Sequence, residues 1–251
     1  YSSAASDVYK RQVDNGLIFF GSLFYTALFF LSVLVFGFVV LLPGPIIGEK
    51  TRWRTVTTFA RANVFMCKRL CGLDYVVVGL KNIPRKPCVV FLKHSSVYEV
   101  FFALSAFQPS SYVTKHELSY VPILRGAIKA LKCIPVKRGL GKKEVNKVIT
   151  QGTKYLAEGR WLVVCPEGAR VRPGESLRDG IGGALLAKGT GMPVLPVAHN
   201  AGYFWGRRSL IKKPGKITFS IGKQITTEGL SIEKINKRAQ DWIEEEIKCL
   251  D

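Results

Sequence analysis

Between Asn15 and Gly48 the chain carries no charged residue, and that gap constrains the fold more than any other feature. Within it, Leu17 to Leu42 is a 26-residue apolar run containing seven phenylalanines. As one helix it measures roughly 39 Å against about 30 Å of bilayer hydrocarbon, so it is long enough to span a membrane with tilt. No polar face runs along it, which argues against a helix buried in a water-soluble core. The run is longer than the apolar core of a secretory signal, and it ends at Pro43-Gly44-Pro45, which stops a helix and offers no small-residue cleavage site. Gly21 and Gly37 leave a second arrangement open, a re-entrant hairpin dipping into the bilayer.

Charges flank the gap unevenly. Asp7, Lys10, Arg11 and Asp14 cancel before it, whereas Lys50, Arg52, Arg54, Arg61, Lys68 and Arg69 follow it with only Glu49 opposing them. Basic segments resist translocation, so the large C-terminal part is expected on the cytoplasmic side. In this basic segment Trp53, Val56, Phe59, Asn63 or Val64, Cys67 and Leu70 recur at helical spacing, and Gly72 follows as a C-terminal stop. The spacing predicts an amphipathic helix that lies on the membrane surface, docks on the following domain, or does both. Tyr1 to Gln12 are small, polar and unpatterned and resemble adaptor-derived sequence, so they are expected to form a non-native or disordered tail.

Lys and Arg number 37 against 18 Asp and Glu, giving a net charge of +19. Such a field favours anionic partners: anionic lipids, phosphorylated metabolites or nucleic acid. A nucleic-acid module also calls for aromatic and basic residues interleaved on one sheet face, and charge alone does not supply that, so no nucleic-acid partner is expected. The abundance of aliphatic and aromatic residues excludes disorder. Cys67, Cys71, Cys88, Cys133, Cys165 and Cys249 are scattered, which fits reduced thiols. Cys67 and Cys71 have no second Cys/His pair nearby, so no metal site is expected.

Beyond Gly72, short β-rich runs alternate with helical patterns. Strands are expected at Tyr75–Leu80, Cys88–Leu92, Tyr112–Thr114, Cys133–Val136, Trp161–Cys165, Val194–Ala198 and Lys216–Ile221. Helices fit at Val97–Phe107, Val121–Leu131, Lys142–Glu158, Leu177–Gly189 and Ile232–Lys248, the last capped by Ser231. The alternation predicts an α/β fold, a sheet of mostly parallel or mixed strands flanked by helices. The organisation is therefore a tail at 1–12, a membrane-anchoring segment at 13–48, a basic amphipathic helix at 49–72 and an α/β domain at 73–251.

Loops after the carboxyl ends of strands collect ligands in open α/β sheets, and three of them carry reactive residues. In the first, His94 leaves a strand and Glu99 follows at the start of a helix. A carboxylate on one ring nitrogen fixes the tautomer and raises the basicity of the other, as deprotonating a hydroxyl requires. In the second, a strand ends in Lys137 and Arg138. In the third, an apolar strand breaks at Pro166 and delivers Glu167, Gly168 and Arg170; arginine supplies a fork of donors suited to phosphate. Cys165 beside this loop raises the alternative of a covalent acyl-enzyme, although a Cys ending an apolar strand is more often a small core residue. Gly180, Gly182 and Gly183 lack the context of a dinucleotide fingerprint and fit a helix packed closely on the sheet. His116 and His199 lie outside these loops and receive no role.

Taken in order, these blocks resemble the bacterial 1-acyl-sn-glycerol-3-phosphate acyltransferase family. The family's H-x4-D block is matched by His94 and Glu99, its second block by Arg138, its E-G-T-R block by Glu167, Gly168 and Arg170, and its apolar proline-bearing strand by Pro193 to Ala198. The match extends over about Leu42 to Ile247. Glu99 stands where most members have Asp, lengthening the carboxylate arm by one methylene, and Ala169 stands where most have Thr.

The resemblance implies the glycerolipid acyltransferase fold and transfer of a fatty acyl group from acyl-CoA or acyl-carrier protein to the sn-2 hydroxyl of lysophosphatidic acid, forming phosphatidic acid. It implies His94 and Glu99 as catalytic residues, and Arg138, Lys137, Glu167, Gly168 and Arg170 at the substrate phosphate. A thioester is already activated, so no metal or redox cofactor is implied. The same chemistry on a lyso-ornithine lipid or another lysophospholipid is the alternative. The expected location is the cytoplasmic face of the cell inner membrane, in contact with anionic lipids.

Overall fold

A computed structural model describes residues 2–42, 46–137, 141–175 and 180–250. Helix α1 (Ser2–Leu41) passes through Gly21 and Gly37 without a break. The glycine at 21 instead permits a close helix crossing, since a Cβ there would sit 2.3 Å from the Leu70 carbonyl oxygen. The helix also takes in residues 2–12, which the sequence reading left outside the fold; once an apolar helix is nucleated, extension costs little per residue. The expected stop at Pro43-Gly44-Pro45 lies outside the described residues.

From Asn15 to Leu41, α1 is long and apolar enough to cross a membrane. Phe20, Phe24, Phe30, Leu34 and Phe38 are exposed, while Ser22, Tyr25 and Ser32 turn inward and are buried. Ser32 Oγ accepts from Asn63 Nδ2 at 3.1 Å, so the few polar groups of α1 satisfy one another against α2 (Glu49–Cys71). Helix α2 buries Trp53, Val56, Ala60, Asn63, Cys67 and Cys71 and exposes Lys50, Arg54, Arg61, Lys68 and Arg69. The expected face is therefore docked on the domain, with the cations on the opposite side. Gly72, at φ 63°, ends the helix by donating to the carbonyls of Cys67 and Lys68.

The remaining elements are β1 (Leu73–Val78), β2 (Val89–Leu92), α3 (Tyr98–Ala106), β3 (Ser110–Lys115), α4 (Pro122–Ala130), β4 (Ile134–Val136), α5 (Gly141–Ala157), β5 (Trp161–Val164), α6 (Gly182–Thr190), β6 (Val194–His199), α7 (Ala201–Phe204), β7 (Gly215–Ile221) and α8 (Ile232–Cys249). The expected start of the α6 segment at Leu177 lies outside the described residues. The seven strands form one sheet in the order β1-β7-β6-β2-β5-β3-β4. Five run parallel, and β1 and β7 run together in the opposite sense, because β7 meets β6 antiparallel.

Alternation along β2 divides the core in two. Val90 and Leu92 face α1, α2 and α3, whereas Val89 and Phe91 face α5, α6 and α8. Gly183 opens α6 directly over Phe91; a Cβ there would meet the ring at 2.8 Å. That is the close helix-to-sheet packing expected of the glycine cluster. Strand β2 is buried along its whole length between β5 and β6, and its carboxyl end delivers His94 to the surface.

Candidate active site

The ladder between β2 and β6 runs on to Lys93, whose amide donates to the Val197 carbonyl at 3.1 Å, and the chain then turns away. Glu99 lies in the first turn of α3 and reaches back over this turn. Its Oε2 accepts from the Ser96 amide at 2.7 Å and the Ser95 amide at 3.1 Å. Its Oε1 meets His94 Nδ1. The spacing of five places the carboxylate where the helix N-terminus favours negative charge and where loop amides still lack partners. The extra methylene of Glu lets one carboxylate serve the amides with one oxygen and the ring with the other.

Exposure divides the pair. The Glu99 side chain is 0% exposed and the His94 side chain 23%, so the histidine forms the accessible end. Burial pushes the Glu99 carboxyl up, but hydrogen bonds from His199 and His94 outweigh it and hold the group down at about 2. The carboxylate is therefore ionised at neutral pH. With Nδ1 committed to Glu99, Nε2 is the ring nitrogen available to a substrate hydroxyl.

The loop after β5 packs against this pair. Glu167 Oε1 accepts from the His94 amide at 3.3 Å and lies 3.4 Å from Lys93 Nζ. The Val171 amide donates to the His94 carbonyl at 2.8 Å, which brings the neighbouring Arg170 to the edge of the site. Arg170 Nε is buried and has no hydrogen-bond partner among the described residues. Gly168 adopts φ 63°, open to glycine at little cost, and its amide is taken up by the Cys165 carbonyl at 3.0 Å.

Lys137 follows β4 at the same end of the sheet, three strands from β2. At about 4.8 Å per strand that is roughly 14 Å along the sheet. Arg138 lies outside the described residues. Cys165 brings its sulfur within 4.8 Å of the paired His94 and Glu99 atoms, forming a group of metal-capable ligands. Burial pushes the Cys165 thiol well up, and the nearby carboxylates of Glu99 and Glu167 add to the effect, so the nucleophilic thiolate is disfavoured.

Sequence reasoning missed His199. It ends β6, its side chain is buried, and its Nε2 lies 3.2 Å from Glu99 Oε2. Its position directly after the apolar proline-bearing strand was the available signal. His116 instead packs against Tyr120 just past the end of β3.

Residues 74–200 match the Acyltransferase family. A 1-acyl-sn-glycerol-3-phosphate acyltransferase of Pseudomonas aeruginosa is 38% identical over 228 residues, 88% of this chain and 89% of that protein. The chain belongs to the 1-acyl-sn-glycerol-3-phosphate acyltransferase family. A similarly named acyltransferase of Saccharomyces cerevisiae is 29% identical over 210 residues, covering 82% of this chain and 68% of its own length. The acyltransferase fold is shared with the crystal structure of PlsC, the 1-acyl-sn-glycerophosphate acyltransferase of Thermotoga maritima, at a TM-score of 0.73 and 21% identity, covering 96% of this chain and 97% of that one. This acyltransferase therefore has the sheet, flanking helices and N-terminal apolar helix expected from its sequence.

Proposed function

We propose that this acyltransferase moves a fatty acyl group from acyl-CoA or acyl-carrier protein to the sn-2 hydroxyl of lysophosphatidic acid, forming phosphatidic acid for phospholipid synthesis. The observation that carries the reading is the His94–Glu99 pair at the end of β2, with Glu99 wholly buried and His94 partly open. His94 Nε2 takes the hydroxyl proton as the oxygen attacks the thioester carbon. The tetrahedral oxyanion then collapses, the carbon–sulfur bond breaks, and His94 returns the proton to the leaving thiolate. Glu99 holds the ring in the required tautomer and stabilises the transient imidazolium. A thioester is activated already, so this route draws on no metal or redox group.

The substrate phosphate falls to Arg170, aided by Lys137 and Arg138. The unpartnered Arg170 Nε supports this assignment. Gly168 contributes the turn that lets the backbone approach the ligand, while amides next to it stabilise the oxyanion. Glu167 repels a phosphate directly, and its bonds to Lys93 and the His94 amide give it the task of holding the two loops together.

Helix α1 anchors the enzyme in the cell inner membrane with the site on the cytoplasmic face; the cations after α1 and the apolar surface of α1 support this. The exposed cations of α2 contact anionic lipids. Thioester-dependent acylation by the purified protein tests the reading, with lysophosphatidic acid, lyso-ornithine lipid and other lysophospholipids as matched acceptors, both donor types, and His94→Ala as control. Acylation of lysophosphatidic acid that fails for wild type, or survives in His94→Ala, sinks it.

A further inference from the structure

Glu99 is fully buried, and two histidines reach it from different strands. Its Oε1 is taken by His94 at the end of β2; its Oε2 faces His199 at the end of β6. The hydrogen bonds of His199 fix which nitrogen carries its proton. The Ala201 amide donates to His199 Nδ1 at 3.2 Å, so Nδ1 holds the lone pair and the neutral ring is protonated on Nε2. That single N–H lies between two acceptors, the Lys93 carbonyl at 2.8 Å and Glu99 Oε2 at 3.2 Å. Phe219 packs its ring 5.1 Å from the imidazole and limits its rotation.

The arrangement ties together the parts that must not move. Lys93 immediately precedes His94, so a donor on the Lys93 carbonyl fixes the backbone entering the base. The same donor on Oε2 fixes the carboxylate that orients the base. A glutamate has one more rotatable bond than an aspartate, and Ser95 and Ser96 brace it from only one side.

We propose that His199 is a positioning residue of acyl transfer, whose Nε2–H selects the Glu99 rotamer that places Oε1 against His94 Nδ1. The proposal rests on His94 acting as the base. His199 touches neither substrate nor the transferred proton.

The test uses the full chain in mixed micelles, with lysophosphatidic acid and acyl-CoA as probes. Glutamine carries its amide nitrogen near the position of imidazole Nε2, whereas asparagine carries its own near Nδ1. A misplacement of about 1 Å costs on the order of a hundredfold. His199→Asn and His199→Ala are therefore expected to lower kcat about a hundredfold, with both KM values within about twofold, while His199→Gln keeps kcat within about fivefold. Combining His199→Ala with Glu99→Asp should cost much less than the product of the single losses, because the shorter arm no longer uses the brace. Equal impairment of the Gln and Asn variants, or a folded His199→Ala with wild-type kcat, overturns the proposal.

Should the variants fail to fold, ¹⁵N spectra of histidine-labelled wild type decide, with protonated Nε2 at His199 expected and protonated Nδ1 overturning the brace. His94→Ala is measured alongside. Activity surviving in His94→Ala removes the base itself, whereas its loss together with a fully active His199→Ala removes only the brace.

Discussion

The main-chain amide of His94 donates to Glu167 Oε1 at 3.3 Å, across 73 residues of sequence. The same carboxylate lies 3.4 Å from Lys93 Nζ, whose side chain is 10% exposed. Removing Glu167 thus frees the His94 backbone and leaves a buried cation without its counter-charge, and breaking one partner of a buried pair costs about 3–5 kcal/mol. Glu167→Gln keeps an acceptor for the amide but loses the charge. Glu167→Ala should therefore lower both Tm and kcat, and Glu167→Gln should lower Tm while sparing more of kcat. Thermal denaturation and initial rates on the two variants check this; an alanine variant with wild-type Tm and kcat contradicts it.

Replacement at Glu99 separates charge from reach. Glu99→Asp keeps the carboxylate and should retain more activity than Glu99→Gln, which loses the charge that supports the imidazolium. His94→Ala should lower kcat by about a thousandfold, within the range of general base catalysis. The Glu99 carboxyl is held at about 2, so it is ionised throughout the working range, and the acid limb of the rate profile does not come from its titration. The limb is expected to persist in the residual activity of Glu99→Gln; its disappearance would assign the limb to Glu99.

Much of this was legible in the sequence because its signals are local. The seven expected strands match β1 to β7 in order, and the wholly buried β2, β5 and β6 read as short apolar runs between breakers. His94 and Glu99 sit within one loop and one helical turn, so their spacing alone suggested the pair. The contact between His199 and Glu99 joins the end of β6 to the first turn of α3 after β2, two strands that are neighbours only after folding, and sheet order is not written in local pattern. Glu167 is implied at the substrate phosphate by its match to the E-G-T-R block, whereas folding turns its carboxylate toward Lys93 and the His94 amide.

Arg170 should distinguish acceptors by charge. Its loss removes a charge-assisted contact in a partly dry site, and about 2–4 kcal/mol of lysophosphatidic acid recognition should go with it. An uncharged monoacylglycerol and the thioester donor should be far less affected. Acceptor and donor KM values for Arg170→Ala and Arg138→Ala in mixed micelles measure this. Equal losses on both acceptors would take the arginines out of the phosphate site.

Cys165 lies close to the dyad yet is a poor nucleophile, because burial and two nearby carboxylates oppose the thiolate. Cys165→Ser should keep most of the activity. Mass spectrometry after rapid quench should find no acyl thioester on this residue, and trapping one would replace direct attack with a covalent route.

Lys212 ties α1 to the domain without a carboxylate partner among the described residues. Its side chain is buried, its amide donates to Ser22 Oγ at 3.0 Å, and its Nζ donates to the Leu210 carbonyl at 2.8 Å and to Thr26 Oγ1. The ammonium also lies 4.8 Å from the Trp205 ring centroid and 5.2 Å from that of Tyr25. These contacts compensate desolvation only in part: burial lowers the Lys212 pKa, with Cys71 and Cys67 opposing. A lysine whose pKa is lower when folded binds fewer protons folded than unfolded, so it adds stability as pH rises from its folded value toward the ordinary lysine value near 10.4. Lys212→Ala should cost on the order of 2 kcal/mol through lost packing and lost cation–π contact. For a chain of this size that lowers Tm by about 2–4 °C per kcal/mol. Lys212→Met fills the space, and its Tm should lack the rise with alkaline pH that wild type shows. Denaturation scans in detergent between neutral pH and about pH 10, read as the difference between wild type and Lys212→Met, measure the effect; parallel curves would mean that Lys212 titrates alike in the folded and unfolded chain.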